Sequence, residues 1–206
     1  MAYKNLTRAA LVAGLAVGAA FSASAADEPK TMMGADAAML SNTCFGCHGT
    51  DGNSMGPASP TIAGLSPTYF EETMVGFASG EIPATVMDRI AKGYTEDEIK
   101  TMAKFYSGKS FVKAKQPFDA GLAAKGAKLH DKYCEKCHAD GGQSAEDDAG
   151  VLAGQWTPYV NWTLADYNAG DREATKKMKK KLSELLEREG SDGVIALLNY
   201  YASQQK

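Results

Sequence analysis

Residues 44–48 read Cys-Phe-Gly-Cys-His, and residues 134–138 read Cys-Glu-Lys-Cys-His. Between them these two stretches use all four cysteines of the 206-residue chain. Two intervening residues within a helical turn put both sulfurs of a pair along one edge, with the histidine of the next position beside them. Thiols so placed can add to the two vinyl groups of a haem, and the adjacent imidazole then reaches the iron. This is the c-type haem attachment pattern. Cys44 and Cys47 with His48, and Cys134 and Cys137 with His138, are therefore candidates to hold two covalently attached haems c. Three other chemistries compete. The pairs could form disulfides; a redox Cys-x-x-Cys normally follows a strand in an α/β pattern, absent here; and a zinc site from all four thiols usually has its pairs closer in sequence. None of these accounts for a histidine after both pairs.

Histidine leaves one axial position of each iron to be filled, and what fills it separates an electron carrier from a gas binder or a peroxidase. The remaining histidine, His130, precedes His138 on the same expected helix and cannot easily reach the far face of that haem. It reads as a surface residue or a propionate contact. Methionine fits better. After Met102 the chain has one methionine, Met178, in "DYNAGDREATKKM"; the first half has Met87 in "GFASGEIPATVM", at nearly the same distance from its histidine. Met74 is a rival, but its counterpart is Leu164, so it reads as core. Met55 has no matching methionine. Met87 and Met178 are the expected sixth ligands. A thioether ligand favours ferrous iron and raises the potential relative to two histidines. With both axial positions filled, small ligands are excluded and outer-sphere electron transfer is favoured.

The N-terminus sets the compartment. "MAYKNLTRAALVAGLAVGAAFSASA" combines Lys4 and Arg8, an apolar stretch and small residues ending in an A-x-A site. It reads as a signal peptide over residues 1–25, which implies export and a periplasmic mature protein. The apolar run is shorter than the ~20 residues a membrane span needs, and no other stretch is apolar enough to cross a bilayer. The chain is mildly acidic, with formal net charge -3, so nucleic-acid binding has no support. Lysines near 176–181 form a basic cluster, read as the solvated face of a helix.

An internal repeat must position these groups. At the offset that relates Cys44 to Cys134, Ala63-Gly64 matches Ala153-Gly154, Tyr69 matches Tyr159, Phe77 matches Tyr167 and Gly80 matches Gly170. Toward the ends the offset drifts, and Phe105-Tyr106 meets Tyr200-Tyr201. Such self-similarity means a duplicated unit. Each copy is small for a hydrophobic core, and a bound haem would supply apolar surface as other staples do. Both copies read as helices and loops without strand alternation. In the first, a helix leads into Cys44, a Gly/Pro-rich loop runs from Gly49 to Ser66, and a helix starts at Pro67 and ends at Gly80. A further helix is expected near 84–92, and Thr95 with Glu98 forms a capping box for one at about 96–107. In the second, a helix from Asp119 leads into Cys134, a loop runs from Ala139 to Trp156, and a helix runs from Pro158 to Gly170. A charged helix is predicted over 172–189, with Ser191 capping a final one. The aromatic pairs are expected to pack each terminal helix on its Cys-x-x-Cys-His helix. Trp156, Tyr159 and Trp162 either line the second haem pocket or fill core. Residues 26–112 and 113–206 make the two units, joined through "GKSFVKAKQPFD".

"CFGCHGTDGNSMGPASPTIAG", "SGEIPATVMDRIAKGY", "GAKLHDKYCEKCH", "LAGQWTPY" and the terminal "YASQQ" carry a family likeness over nearly the whole mature chain. The duplicated unit resembles dihaem cytochromes of the c4 type, and more closely the dihaem subunit of flavocytochrome c sulfide dehydrogenase. The resemblance implies an all-α fold of two tandem class I cytochrome c domains, with iron ligands at His48 and Met87 and at His138 and Met178. It implies a heterodimer in which FAD and the sulfide chemistry lie on a separate flavoprotein, and this chain passes electrons to a soluble cytochrome c. It further implies propionate edges that meet between the domains. No flavin motif or spare cysteine occurs here, so no catalytic residue is expected on this chain. The loop "ADGGQSAEDDAGVLAG" is harder to match to the family. A free-standing c4-type carrier to a terminal oxidase needs the same haems and nothing else. A dihaem peroxidase would need one iron open to peroxide.

Overall fold

The computed structural model describes residues 31–144 and 149–206. The signal-peptide segment lies outside the described residues, as do positions 145–148 of the second loop. Among the described residues the chain is helical with no strand. In the first unit, α1 (Ala37–Asn42) is capped by the Asp36 side chain, which accepts from Met39 N, and leads directly into α2 (Phe45–His48). α3 (Pro67–Ser79) starts with Ser66 as cap and proline in its first turn, and stops at Gly80, whose φ of 83° is left-handed. These are the local signals by which a helix begins and ends. α4 (Met87–Ile90) is shorter than the sequence suggests, and its continuation is a 3-10 turn, Ala91–Gly93. α5 (Glu96–Ser107) carries the expected capping box between Thr95 and Glu98.

The second unit repeats the plan. α6 (Ala120–Tyr133) is capped by Asp119, α7 (Ala139–Gly142) is a single turn after the histidine, and α8 (Thr157–Ala169) ends at Gly170, again with φ of 83°. α9 (Lys176–Ser203) begins at the Thr175 cap, after 172, and consists of two helical stretches that meet at Gly190, between the charged helix and the final one that the sequence predicts. Gly190 has φ of 63° and ψ of -159°, far from helical values, so the chain kinks there between the two stretches.

The duplication is visible bond for bond. Gly52 O accepts from Ile62 N and Ala63 N, and Gly142 O accepts from Leu152 N and Ala153 N. Gly64 N donates to Tyr106 O at 2.8 Å, and Gly154 N donates to Tyr201 O at 2.9 Å. Each unit has its own core. One gathers Leu40, Phe70, Met74, Ile99, Met102 and Tyr106; the other gathers Leu129, Tyr133, Val160, Leu185, Leu197 and Tyr201. The terminal helices pack on the helices that carry the cysteines, as the aromatic pairs predict. Tyr106 Oη donates to Ser41 O at 2.7 Å, and Tyr201 Oη lies 3.0 Å from His130 Nδ1. α6 and α9 come close enough that a Cβ on Gly126 would lie 2.0 Å from Ala196 O.

The segment joining the units is tied down along its length. Asn53 holds Ser110 O and Val112 N, Ala114 N donates to Gly154 O, and Gln116 bonds Gln155 O and Thr157 N. It therefore acts as a strap that fixes one unit on the other.

Candidate functional site

Both Cys-x-x-Cys-His stretches adopt the same turn. Cys47 N and His48 N donate to Cys44 O at 3.2 and 2.9 Å; Cys137 N and His138 N donate to Cys134 O at 3.1 and 2.9 Å. The two sulfurs and the imidazole of each motif thus lie on one side of a turn. All four cysteines are free thiols, and no group of three or more His, Cys, Asp or Glu side chains among the described residues forms a metal cluster. The disulfide and zinc alternatives have no counterpart in this arrangement. Each terminal helix brings a tyrosine near the first cysteine of its motif: Tyr106 lies within electrostatic reach of Cys44, and Tyr201 of Cys134. Burial pushes the Cys134 thiol above its ordinary value.

A cavity of about 790 Å³ opens beside the first motif. Cys44, Cys47, His48, Met74 and Met87 all line it, with apolar residues such as Ile62 and Phe77. Its size falls in the ~300–1,000 Å³ range of cofactor sites. His48 is buried, and its Nδ1 lies 2.8 Å from Pro60 O. That carbonyl can only accept, so Nδ1 carries the proton and Nε2 keeps its lone pair, the state a metal ligand needs. Burial lowers the His48 pKa, and the Pro60 bond raises it by less. The imidazole is thereby kept neutral and able to ligate. Met74 is nearly buried in the core, while Met87 is half-buried at the start of α4. Met55 is 88% exposed and does not line this cavity. The residues present fit a thioether-linked haem: two thiols, a neutral imidazole, a thioether and an apolar wall on one chamber.

The chamber crosses into the second unit. Val151, Gln155, Tyr159, Trp162 and Arg172 line it, whereas Cys134, Cys137, His138 and Met178 do not. Cys134 instead packs on the second core, His138 is half-buried at the end of its turn, and Met178 is half-buried in the first turn of α9. The first unit's four expected groups therefore meet on one cavity, and the second unit's four sit at matching places in the repeat. Of the three aromatics expected near the second pocket, Tyr159 and Trp162 line the shared chamber. Trp156 does not; its Nε1 donates to Ser54 O at 3.2 Å and pins one unit to the other. His130 corrects the surface reading. It is fully buried, with Nδ1 on Tyr201 Oη and Nε2 2.6 Å from Glu135 Oε2, and both ring nitrogens are satisfied by protein.

Comparison with known proteins follows the same lines. No family model matches the chain. The cytochrome subunit of sulfide dehydrogenase from Chlorobaculum tepidum is 47% identical over 72 residues, 35% of this chain and 64% of that protein's length. Cytochrome c-554(548) of Halomonas halodenitrificans is 35% identical over 68 residues, which span 32% of this chain and 82% of the relative. This chain is a c-type cytochrome. Reduced cytochrome c4 from Pseudomonas stutzeri shares the fold, with a TM-score of 0.68 at 23% identity over 82% of this chain and 98% of that one. The cytochrome is thus built as two class I cytochrome c domains in tandem, and it serves electron transfer with covalently held haem c. Among the described residues no helix is long and apolar enough to cross a membrane.

Sequence reasoning passed over three residues that shape the cytochrome's site. Gln155, Arg172 and Tyr69 meet at the junction of the units. Tyr69 lies within electrostatic reach of Tyr159, its own repeat counterpart, and so close to Gly150 that a Cβ there would be 2.9 Å from the Tyr69 ring. One signal was available. Gln155 and Arg172 are polar where the other repeat has Leu65 and Ile82.

Proposed function

We propose that this cytochrome carries two covalent haems c, one on Cys44 and Cys47 and one on Cys134 and Cys137. His48 and Met87 would ligate the first iron, and His138 and Met178 the second. The observation that carries this reading is the same hydrogen-bonded Cys-x-x-Cys-His turn in both repeats. Bound haem c supplies a one-electron ferric/ferrous couple. The chain's own residues anchor, orient and shield it. The cysteines fix one edge, Pro60 holds the His48 ring in a ligating tautomer, and the apolar wall gives the chamber a mostly apolar lining. The domains are taken as 26–112 and 113–206, after a signal peptide at 1–25 that delivers the chain to the periplasm.

The cytochrome acts in this reading as the electron-transfer subunit of a sulfide dehydrogenase. A partner flavoprotein with FAD oxidises sulfide; this chain accepts the electrons and hands them to a soluble cytochrome c. The sulfide dehydrogenase subunit among its relatives supports that partner. Purification of the native protein, with haem and flavin counted by absorbance, tests it. Two haems per chain with a copurifying flavoprotein are expected, and the isolated chain should show no sulfide oxidation. Two haems without any flavoprotein would favour a free-standing carrier instead, and peroxide turnover at an open iron would favour a peroxidase.

A further inference from the structure

Glu135 lies inside the second Cys-x-x-Cys-His motif, and three donors converge on its carboxylate. His130 Nε2 lies 2.6 Å from Glu135 Oε2. Asp140 N donates to Oε1 at 3.0 Å, and Gly141 N donates to Oε2 at 3.1 Å. A carboxylate only accepts, so His130 Nε2 carries the proton of its bond. The His130 bond first, and the Gly141 amide next, hold the Glu135 carboxyl below its ordinary value. His130 is itself held in place. It is fully buried, its Nδ1 lies 3.0 Å from Tyr201 Oη, and its ring centre lies 5.3 Å from that of Tyr200. The carboxylate is therefore anchored where α6 meets α9, and it reaches past His138 to the backbone beyond.

That stretch of backbone is unusual. Asp140 has φ of 56° and Gly141 has φ of 68°, two left-handed residues in succession. A residue other than glycine holds such a conformation where its surroundings impose it. Here two successive N–H groups converge on one carboxylate. Tyr200 packs on the same turn, where a Cβ on Gly141 would lie 2.6 Å from Tyr200 Oη. The geometry points to Glu135 as a positioning residue for His138: it ties the turn before that imidazole to the turn after it, and so fixes how the ring stands. This rests on the reading of His138 as the ligand of a second iron. Groups outside the ligand set orient metal-binding histidines in this way. The device is confined to one copy. The counterparts of Glu135 and His130 are Phe45 and Leu40, whose side chains form no hydrogen bonds. The first copy's left-handed residue, Asp51, is instead paired with Lys109 at 2.8 Å, and His48 is oriented by Pro60. Two matching attachment turns thus hold their histidines by different means.

The test compares the ferric holoprotein with its Glu135→Gln variant by electron paramagnetic resonance, with redox titration alongside. The g values of a low-spin ferric haem follow the orientation of its axial imidazole. Glutamine keeps the size of the side chain but has one acceptor oxygen, so at least one of the three bonds is lost. One of the two haem signals should move, and its potential with it, while the other haem keeps its wild-type values. Asp131→Asn, which removes an exposed charge nearby, should leave both signals in place. Signals unchanged in Glu135→Gln, or both haems shifted alike, would overturn the assignment. An equal shift in Asp131→Asn would reduce the effect to charge alone and overturn it too. If Glu135→Gln does not retain two haems, His130→Leu decides by the same spectrum. There the carboxylate loses its anchor, and an unmoved signal overturns the assignment. Haem counting on the wild type separates the two layers. Fewer than two covalent haems overturns the underlying reading, whereas two haems with no selective shift overturns the role of Glu135 alone.

Discussion

Gln155 holds Thr61 by both of its backbone groups: Thr61 N donates to Gln155 Oε1 at 2.9 Å, and Gln155 Nε2 donates to Thr61 O at 2.9 Å. The two residues belong to different repeats. The side-chain amide supplies one donor and one acceptor, as a neighbouring strand would, and Gln155 is only 3% exposed. The corresponding positions across the pseudo-symmetric junction, Leu65 and Val151, are apolar and buried. A polar clasp on one side and apolar packing on the other therefore define the docking of the units.

Replacing Gln155 with Leu, the residue of the first repeat, leaves the Thr61 N–H and C=O buried without partners. Each orphaned group costs about 1–3 kcal/mol, so Gln155→Leu should lower stability by roughly 2–5 kcal/mol. Thermal unfolding of the holoprotein measures this, and hydrogen exchange at the Thr61 amide should accelerate. An unchanged melting temperature would mean that the apolar side holds the junction alone.

Met74 and Met87 share the chamber wall, and only one can ligate the first iron. Met87→Ala should remove the methionine–iron charge-transfer band of one haem, roughly half of the total absorbance of that band. Met74→Ala should keep the band and cost about 2–5 kcal/mol of stability as a core truncation. The reverse pattern in the two spectra would exchange their roles.

Gly126 marks where α6 and α9 touch backbone to backbone. A methyl there would meet Ala196 O at 2.0 Å and the Tyr200 Cβ at 2.7 Å. Gly126→Ala must push the helices apart, at a cost of about 1–3 kcal/mol or more. Gly93→Ala, with nothing within 4 Å of the new methyl, should stay within about 0.5 kcal/mol. Chemical denaturation of both variants checks the contrast.

Glu98 is buried and carries two tasks. It accepts from Thr95 N and from Met32 N, each at 2.8 Å, and so ties the segment before α1 to the start of α5. The Thr95 bond first, and the Met32 bond next, lower its pKa below the ordinary 4.5. A carboxylate with a depressed folded pKa stabilises fully above its unfolded value, and that contribution is lost as pH falls through the folded one. Glu98→Ala should cost about 1–2 kcal/mol near neutrality. Its urea midpoint should fall less steeply than that of the wild type once the pH drops below the 4.5 of the unfolded carboxyl. Parallel curves would remove Glu98 from the acid response.

The sequence by itself determined the parts of this protein whose causes are local. Pro67 and Gly80, Pro158 and Gly170, and the Thr95–Glu98 box place their helices because caps and left-handed turns act within a few residues. The Cys-x-x-Cys-His turn is local in the same way, since its hydrogen bonds span four residues or fewer. Duplication then implied two such units. Tertiary structure decided what depends on partners far along the chain. It buried His130, which contacts Tyr201 across 71 residues, where the first repeat has Leu40. It turned Trp156 toward Ser54, joined Gln155 to Thr61, and brought Tyr69 beside Tyr159 and Arg172. Those contacts exist only once the units dock, because a polar side chain can be buried only where another element arrives to satisfy it. His130, Gln155 and Arg172 each stand where the other copy is apolar, so the repeat marked the places, and only the tertiary fold supplied the partners, within the second unit for His130 and across the junction for Gln155.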